Sequence, residues 1–168
     1  MERYPVSRRH GLAALEFLYR ATAAIVGWCD PVIRRLGYSR VDRWFRPLER
    51  WSKRRIFGCE MCGQCVLHSA GMVCPMTCPK QLRNGACGGV RADGGCEVVP
   101  EMKCVWVAAY ERARHLTEFG PDIIEINPPV NHRLSASSAW VNMLKGVDKQ
   151  TPQGWADSPH VVIVEREL

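Results

Sequence analysis

The sequence predicts a small, mainly α protein with an irregular cysteine-rich lobe, α+β only to the extent that the lobe forms short hairpins. Three observations predict this. Apolar residues recur at helical spacing in the first third and again after residue 104. Between Gly58 and Cys104, large aliphatic side chains give way to Gly, Pro and Cys. Such a segment buries too little apolar surface to offset its ordering entropy and needs cross-links or metal. Finally, 168 residues suit one domain with an arm and a tail. The division is a basic helical arm (1–57), a cysteine-rich metal-binding domain ending in a helix (58–120) and a Pro-containing extension (121–168). The extension is expected to dock on the domain or on a partner.

In the arm, Leu12, Leu15, Tyr19, Thr22, Val26 and Cys29 fall on one helical face, which reads as a packing face. Cys29 lies on that stripe and reads as a small buried apolar residue, not a ligand. Asp30-Pro31 ends this helix and starts another. Glu16 and Arg20 interrupt the apolar run, and the apolar core from Ala21 to Trp28 is short for a signal peptide. No transmembrane segment and a cytoplasmic location are therefore expected. In that compartment thiols stay reduced, and clustered ones serve as ligands more often than as disulfides.

A second helical pattern joins Val41, Trp44, Leu48 and Trp51, with Pro47 bending or restarting it. Arg43, Arg46, Arg50, Lys53, Arg54 and Arg55 lie between. Tryptophan interleaved with arginine is a nucleic-acid signature, but no recognised motif accompanies it, so no nucleic-acid partner is expected. The plainer reading is a buried Trp face and an Arg face that is solvated or docks an acidic surface. Residues 1–57 hold 13 Arg and Lys against 5 Asp and Glu, whereas residues 58–168 hold 10 against 12. The arm thus faces either its own sulfur-rich lobe or an acidic partner.

After the lobe, a helix is predicted from Val105 to Glu118, with Gly120 as cap and Pro121 as stop. "INPPVN" is extended. "SASSAWVNMLKG" predicts a short helix capped by Ser135 or Ser137 and closed by Gly146. The terminal "HVVIVEREL" predicts a strand or an arm laid on a neighbour.

Cys59, Cys62 and Cys65 form C-x2-C-x2-C, a spacing that brings three thiolates to three corners of one iron–sulfur cube. The fourth ferredoxin cysteine precedes a proline, and both Cys74-Pro75 and Cys78-Pro79 do so here, later than in ferredoxins. Cys87, Cys96 and Cys104 complete eight candidate ligands, enough for two four-thiolate sites. Separated C-x2-C pairs would favour zinc, so the triple favours iron–sulfur without deciding the metal. A single site with spare core cysteines, or disulfides, are the competing readings. Glycines beside Cys87 and Cys96 let backbone N–H groups turn toward sulfur, although Asn84-Gly85 and Asp93-Gly94 also suit plain turns. His68 reads as a neighbour of the ligands more readily than as a zinc ligand. There is no G-x-G-x-x-G, phosphate loop or H-E-x-x-H, and a flavin-holding barrel needs about 250 residues, so a complete enzyme is not expected.

From Cys62 to Leu116 the chain resembles the methylenetetrahydrofolate reductase C-terminal domain. The matching elements are Cys74-Pro75, Lys80 to Gly89, Gly95 to Val98, Cys104 to Trp106 and Tyr110 to Arg112. Ala86 replaces a proline of the Gly-rich block, and residues 1–57 are unmatched. The resemblance implies metal binding and partnership with a flavin-containing methylenetetrahydrofolate reductase barrel of one-carbon metabolism. The expected function is an accessory electron-transfer subunit with one or two [4Fe-4S] clusters, zinc being possible at the second site, and with flavin only in the partner. Ferredoxin or another donor would supply the electrons. A redox-inactive zinc module of the same reductase is the alternative, followed by a basic zinc-binding nucleic-acid protein.

Overall fold

The computed structural model describes residues 9–85 and 87–152. The described residues are mainly helical, with five α-helices among them: α1 (Arg9–Trp28), α2 (Asp30–Leu36), α3 (Tyr38–Phe57), α4 (Val105–Ala113) and α5 (Ala139–Lys145). Among the described residues no strand forms. The expected hairpins reduce to two isolated antiparallel bridges, Val90 with Cys96 and Gly95 with Lys103. A ladder needs alternating apolar residues to fix its register, and this Gly- and Cys-rich stretch has none. Cys96 N donates to Met102 O and Cys104 N to Gly94 O across the Gly95–Lys103 bridge, while Gly94 N closes a turn on Arg91 O. The expected terminal strand lies outside the described residues.

The α1 stripe packs inward as expected, with Leu12 fully buried and Leu15, Tyr19, Thr22 and Val26 half-buried. Glu16 shares that face. It is 5% exposed and accepts backbone N–H groups from Thr117, Glu118 and Phe119 at 3.2, 2.8 and 2.7 Å. The residue that interrupts the apolar run is therefore the one that fastens α1 to the lobe. The same three N–H groups explain why α4 stops at Ala113, short of Glu118: the chain beyond it turns to present them to the carboxylate. Arg20 adds an ion pair with Glu118. Cys29 is half-buried at the joint between α1 and α2. There Pro31 opens α2, Asp30 pairs with Arg34 at 2.6 Å and Tyr38 Oη donates to Asp30 at 2.8 Å.

α3 runs unbroken through Pro47, but its faces are inverted relative to the expectation. Trp44, Leu48 and Trp51 point to solvent, whereas Glu49, Lys53 and Phe57 are buried. Lys53 Nζ meets Glu49 Oε1 at 2.5 Å and lies 4.5 Å from the centre of the Trp140 ring. No single helix is long and apolar enough to cross a membrane among the described residues; α1 and α2 together reach the length and composition, bent by 54°.

Two apolar clusters form the core. One joins Leu12, Phe57, Leu67, Met72, Cys74 and Leu116; the other joins Val73, Cys104, Val105, Trp106 and Ala109. The middle third thus contributes more core than its composition promised, because nearly every aliphatic residue between Met61 and Val73 is buried. It borrows the remainder from α1, α3 and α4. α5 is capped by Ser138, whose Oγ accepts Val141 N at 3.2 Å, and not by Ser135 or Ser137; Gly146 closes it.

Replacing Glu16 by Ala strands three N–H groups and is expected to cost about 3 kcal/mol. Glu16→Gln, which keeps an acceptor, loses less; urea unfolding of both variants checks the order.

Candidate metal centre

The C-x2-C-x2-C loop leaves α3 at Gly58 and folds into a cage. Cys59, Cys62 and Cys65 line one small cavity of about 20 Å³, and the fourth cysteine on its wall is Cys74. Glu49 and Lys53 from α3 form another side, and Tyr19 from α1 meets the Cys65 thiol. Backbone geometry makes the convergence possible. Met61 and Gly63 both take positive φ, +51° and +77°. A side chain at Gly63 would meet Leu134 O at 2.2 Å, so the loop lies directly against the chain after residue 131. That chain holds it: Ala136 N donates to Met61 O and Asn142 Nδ2 to Gly63 O, each at 2.8 Å. Gln64, 1% exposed, donates to Asp148 O at 2.8 Å and accepts from Asn131 N at 2.7 Å.

The thiols are electrostatically linked. Hydrogen bonding with Cys74 and then burial push the Cys59 thiol well above its usual range, while the same bond holds Cys74 down. Burial pushes Cys62 up, against a backbone hydrogen bond at Gln64 and the charge of Arg83; its S–H donates to Gln64 O at 3.3 Å. Met61 N donates to Cys59 Sγ at 3.3 Å. Two cations are buried beside this group. Burial works to lower Lys53, yet Cys65, Glu49 and Cys59 carry it above its ordinary value. Arg83 is 6% exposed and gives Nη2 to Gln64 O at 3.1 Å. Its Nε and Nη1 have no hydrogen-bond partner among the described residues.

Buried cations around thiols suit an anionic occupant, and four thiolates on zinc or on an oxidised four-iron cluster carry about −2. The donor set therefore fits either group. No set of three or more His, Cys, Asp or Glu among the described residues converges as on a single ion. The four thiols border a shared space without meeting at a point.

Cys78, Cys87, Cys96 and Cys104 lie apart from this cage, in the neighbouring part of the lobe. Cys104 belongs to the apolar cluster under α4, and Cys78, Val90 and Met102 pack against it. Cys96 pairs with Val90, and Lys80 feels the charges of both Cys87 and Cys96. All nine cysteines are free. His68 Nδ1 faces Asp122 and Glu125 at 3.8 and 3.9 Å. Asn84 does more than turn the chain: its side chain grips Asn127 through N and O, both at 2.8 Å.

A family model described as methylene-tetrahydrofolate reductase C terminal matches residues 38–133, more than half of the chain. The chain belongs to the methylene-tetrahydrofolate reductase C-terminal family. The match begins at α3, which sequence reading had left outside the resemblance. It spans all eight candidate ligands together with Lys53, Gln64 and Arg83, and leaves α1, α2 and α5 beyond its limits. Comparison with curated proteins and with solved structures gave no match. Sequence reading missed Lys53 and Arg83 as partners of the cage. The spacing of Glu49 and Lys53, four apart on one helical face, was the available signal for the first.

Gly63→Ala is expected to destabilise the protein by about 2–3 kcal/mol through positive φ and the Leu134 carbonyl. Gly27→Ala, in open space on α1, should be neutral or stabilising by up to about 1 kcal/mol. Urea midpoints of the two variants test the contrast.

Proposed function

We propose that this chain is a non-catalytic, iron–sulfur accessory subunit of a flavin-dependent methylene-tetrahydrofolate reductase, relaying electrons to a flavin held by a separate barrel subunit. The observation that carries the reading is the set of four thiols around one cavity in a member of this family. Cys59, Cys62, Cys65 and Cys74 are assigned to a first [4Fe-4S] cluster. Cys78, Cys87, Cys96 and Cys104 are assigned to a second site, a further cluster or zinc. A single zinc ion would draw four sulfurs to about 2.3 Å from one point; the C-x2-C-x2-C spacing of Cys59, Cys62 and Cys65 is what favours the cluster. When bound, such a cluster supplies one-electron redox chemistry.

The chain's own residues set the conditions. Lys53 and Arg83 compensate negative charge where water is scarce, and the Met61 N–H turned toward Cys59 favours the reduced, more negative state. Leu67 and Met72, both buried, keep solvent from the thiols. Cys65 opens toward a cleft of about 680 Å³ walled by Tyr19, His68, Phe119 and Trp140. Phe17 joins that cleft to the outward face of α1, where Ile25 and Trp28 are also exposed. Exposed aromatic and aliphatic surface of this kind suits a long-lived subunit interface, and we assign it to the reductase. A cytoplasmic location follows from the need to keep these thiols reduced.

Anaerobically purified protein should contain iron and inorganic sulfide in equal amounts and show visible absorption that bleaches with dithionite. Cys62→Ser should lose the first site's metal, whereas Cys29→Ser should keep all of it. Colourless, zinc-only protein would replace this reading with the redox-inactive module.

Ligand thiolates order the lobe only when metal-bound. Metal-stripped protein should therefore be cut by protease between residues 58 and 99 before α1 or α3 is lost. Identical digestion patterns with and without metal would show that packing alone holds the lobe.

A further inference from the structure

A second cleft, of about 780 Å³, runs between α3 and the cysteine loop. Arg50, Trp51, Arg54 and Arg55 form its α3 wall, all exposed to solvent. Arg46 closes one end by donating to Ala136 O at 2.9 Å, with Asp42 at 3.9 Å. The other three arginines make no ion pair or hydrogen bond among the described residues. Glu60 is the carboxylate on the wall. Cys59 and Met61 line both this cleft and the enclosed cavity, so Cys59 is a partition between the cage and the basic surface.

We infer that this cleft is the docking surface for an acidic electron-carrier protein, which delivers electrons at the Cys59 edge of the cage. The inference rests on the reading of that cage as redox-active. Three guanidinium groups, unpaired among the described residues, lie beside a tryptophan and present planar donors to a carboxylate-rich surface. The cleft differs in kind from the apolar outer face of α1 and α2, where Ile25, Trp28, Val32 and Leu36 are exposed. Short-lived electron-transfer encounters use small, charged contacts, and permanent subunits use larger apolar ones. Opposite charge raises the encounter rate, which is what a carrier that must dock, deliver and leave requires. Each encounter passes one electron from the carrier, which is oxidised, to the thiolate-held group, which is reduced. No bond forms or breaks and no proton moves. A nucleic-acid or membrane ligand would gain nothing from having Cys59 on the wall.

The test uses the full chain with an acidic plant-type ferredoxin as the probe. Ferredoxin should bind at low salt and weaken steadily as salt rises. The triple variant R50E/R54E/R55E should lower both affinity and the second-order rate of reduction by reduced ferredoxin, by about 10- to 100-fold at low ionic strength. Metal content and reduction by photoreduced deazaflavin, a small uncharged donor, should match the parent; Arg46 is left intact because it holds Ala136. Ferredoxin binding by the variant at parental affinity, or a salt-insensitive rate, would overturn the inference. So would arginine-dependent binding to phosphatidylserine vesicles or single-stranded DNA with ferredoxin ignored. If the chain proves to hold no redox-active metal, the proposed function fails by itself, and the affinity and salt slope still decide the docking face.

Discussion

Burying Lys53 beside the thiols is the constraint from which much of the architecture follows. A lysine taken out of water needs opposite charge close by. Here Glu49 supplies it within the same helix, the Trp140 ring lies against it, and Cys59 and Cys65 face it. Once Glu49 and Lys53 point inward, the helical period leaves Trp44, Leu48 and Trp51 no place but the outside. The exposed tryptophans are the geometric complement of a buried ion pair.

The inversion also marks where sequence reading reached its limit. The α1 stripe was legible because its apolar residues and its buried face coincide, Leu12 through Val26. The α3 stripe was equally regular, yet hydrophobic periodicity assigns the apolar side to the interior and has no means of knowing that a charged pair has a partner there. Spacing offered eight cysteines as candidate ligands and left their division open. Cys74 follows Cys65 after eight intervening residues, and what returns it to the first three is the packing of Leu67 and Met72 into the same cluster as Cys74. Arg83 was invisible for the same reason, since its neighbour Gln64 lies 19 residues away.

A lobe poor in aliphatic residues was expected to need cross-links or metal; the few it has between Met61 and Val73 are nearly all buried, and Glu16 ties the lobe to α1 through three N–H groups. Expected hairpins shrank to single bridges because Gly94-Gly95 and Pro100 break the runs that a ladder would need. Polar side chains do the work that a ladder would do elsewhere: Asn84 holds Asn127, and Gln64 holds both Asn131 and Asp148.

That last contact has a bearing on how the protein is made. Gln64 and the Asp148 carbonyl are 84 residues apart in the chain. A ribosome adds about 5–20 residues per second, so the cysteine loop is out of register with its latch for roughly 5–15 seconds after it is synthesised. From the synthesis of Cys74 onward, all four thiols of the cage have been translated and the strap that locks the loop from behind has not. The cysteine loop thus has a natural time window in which it is open from behind, set by residue order within one polypeptide and closed by the chain's own downstream sequence.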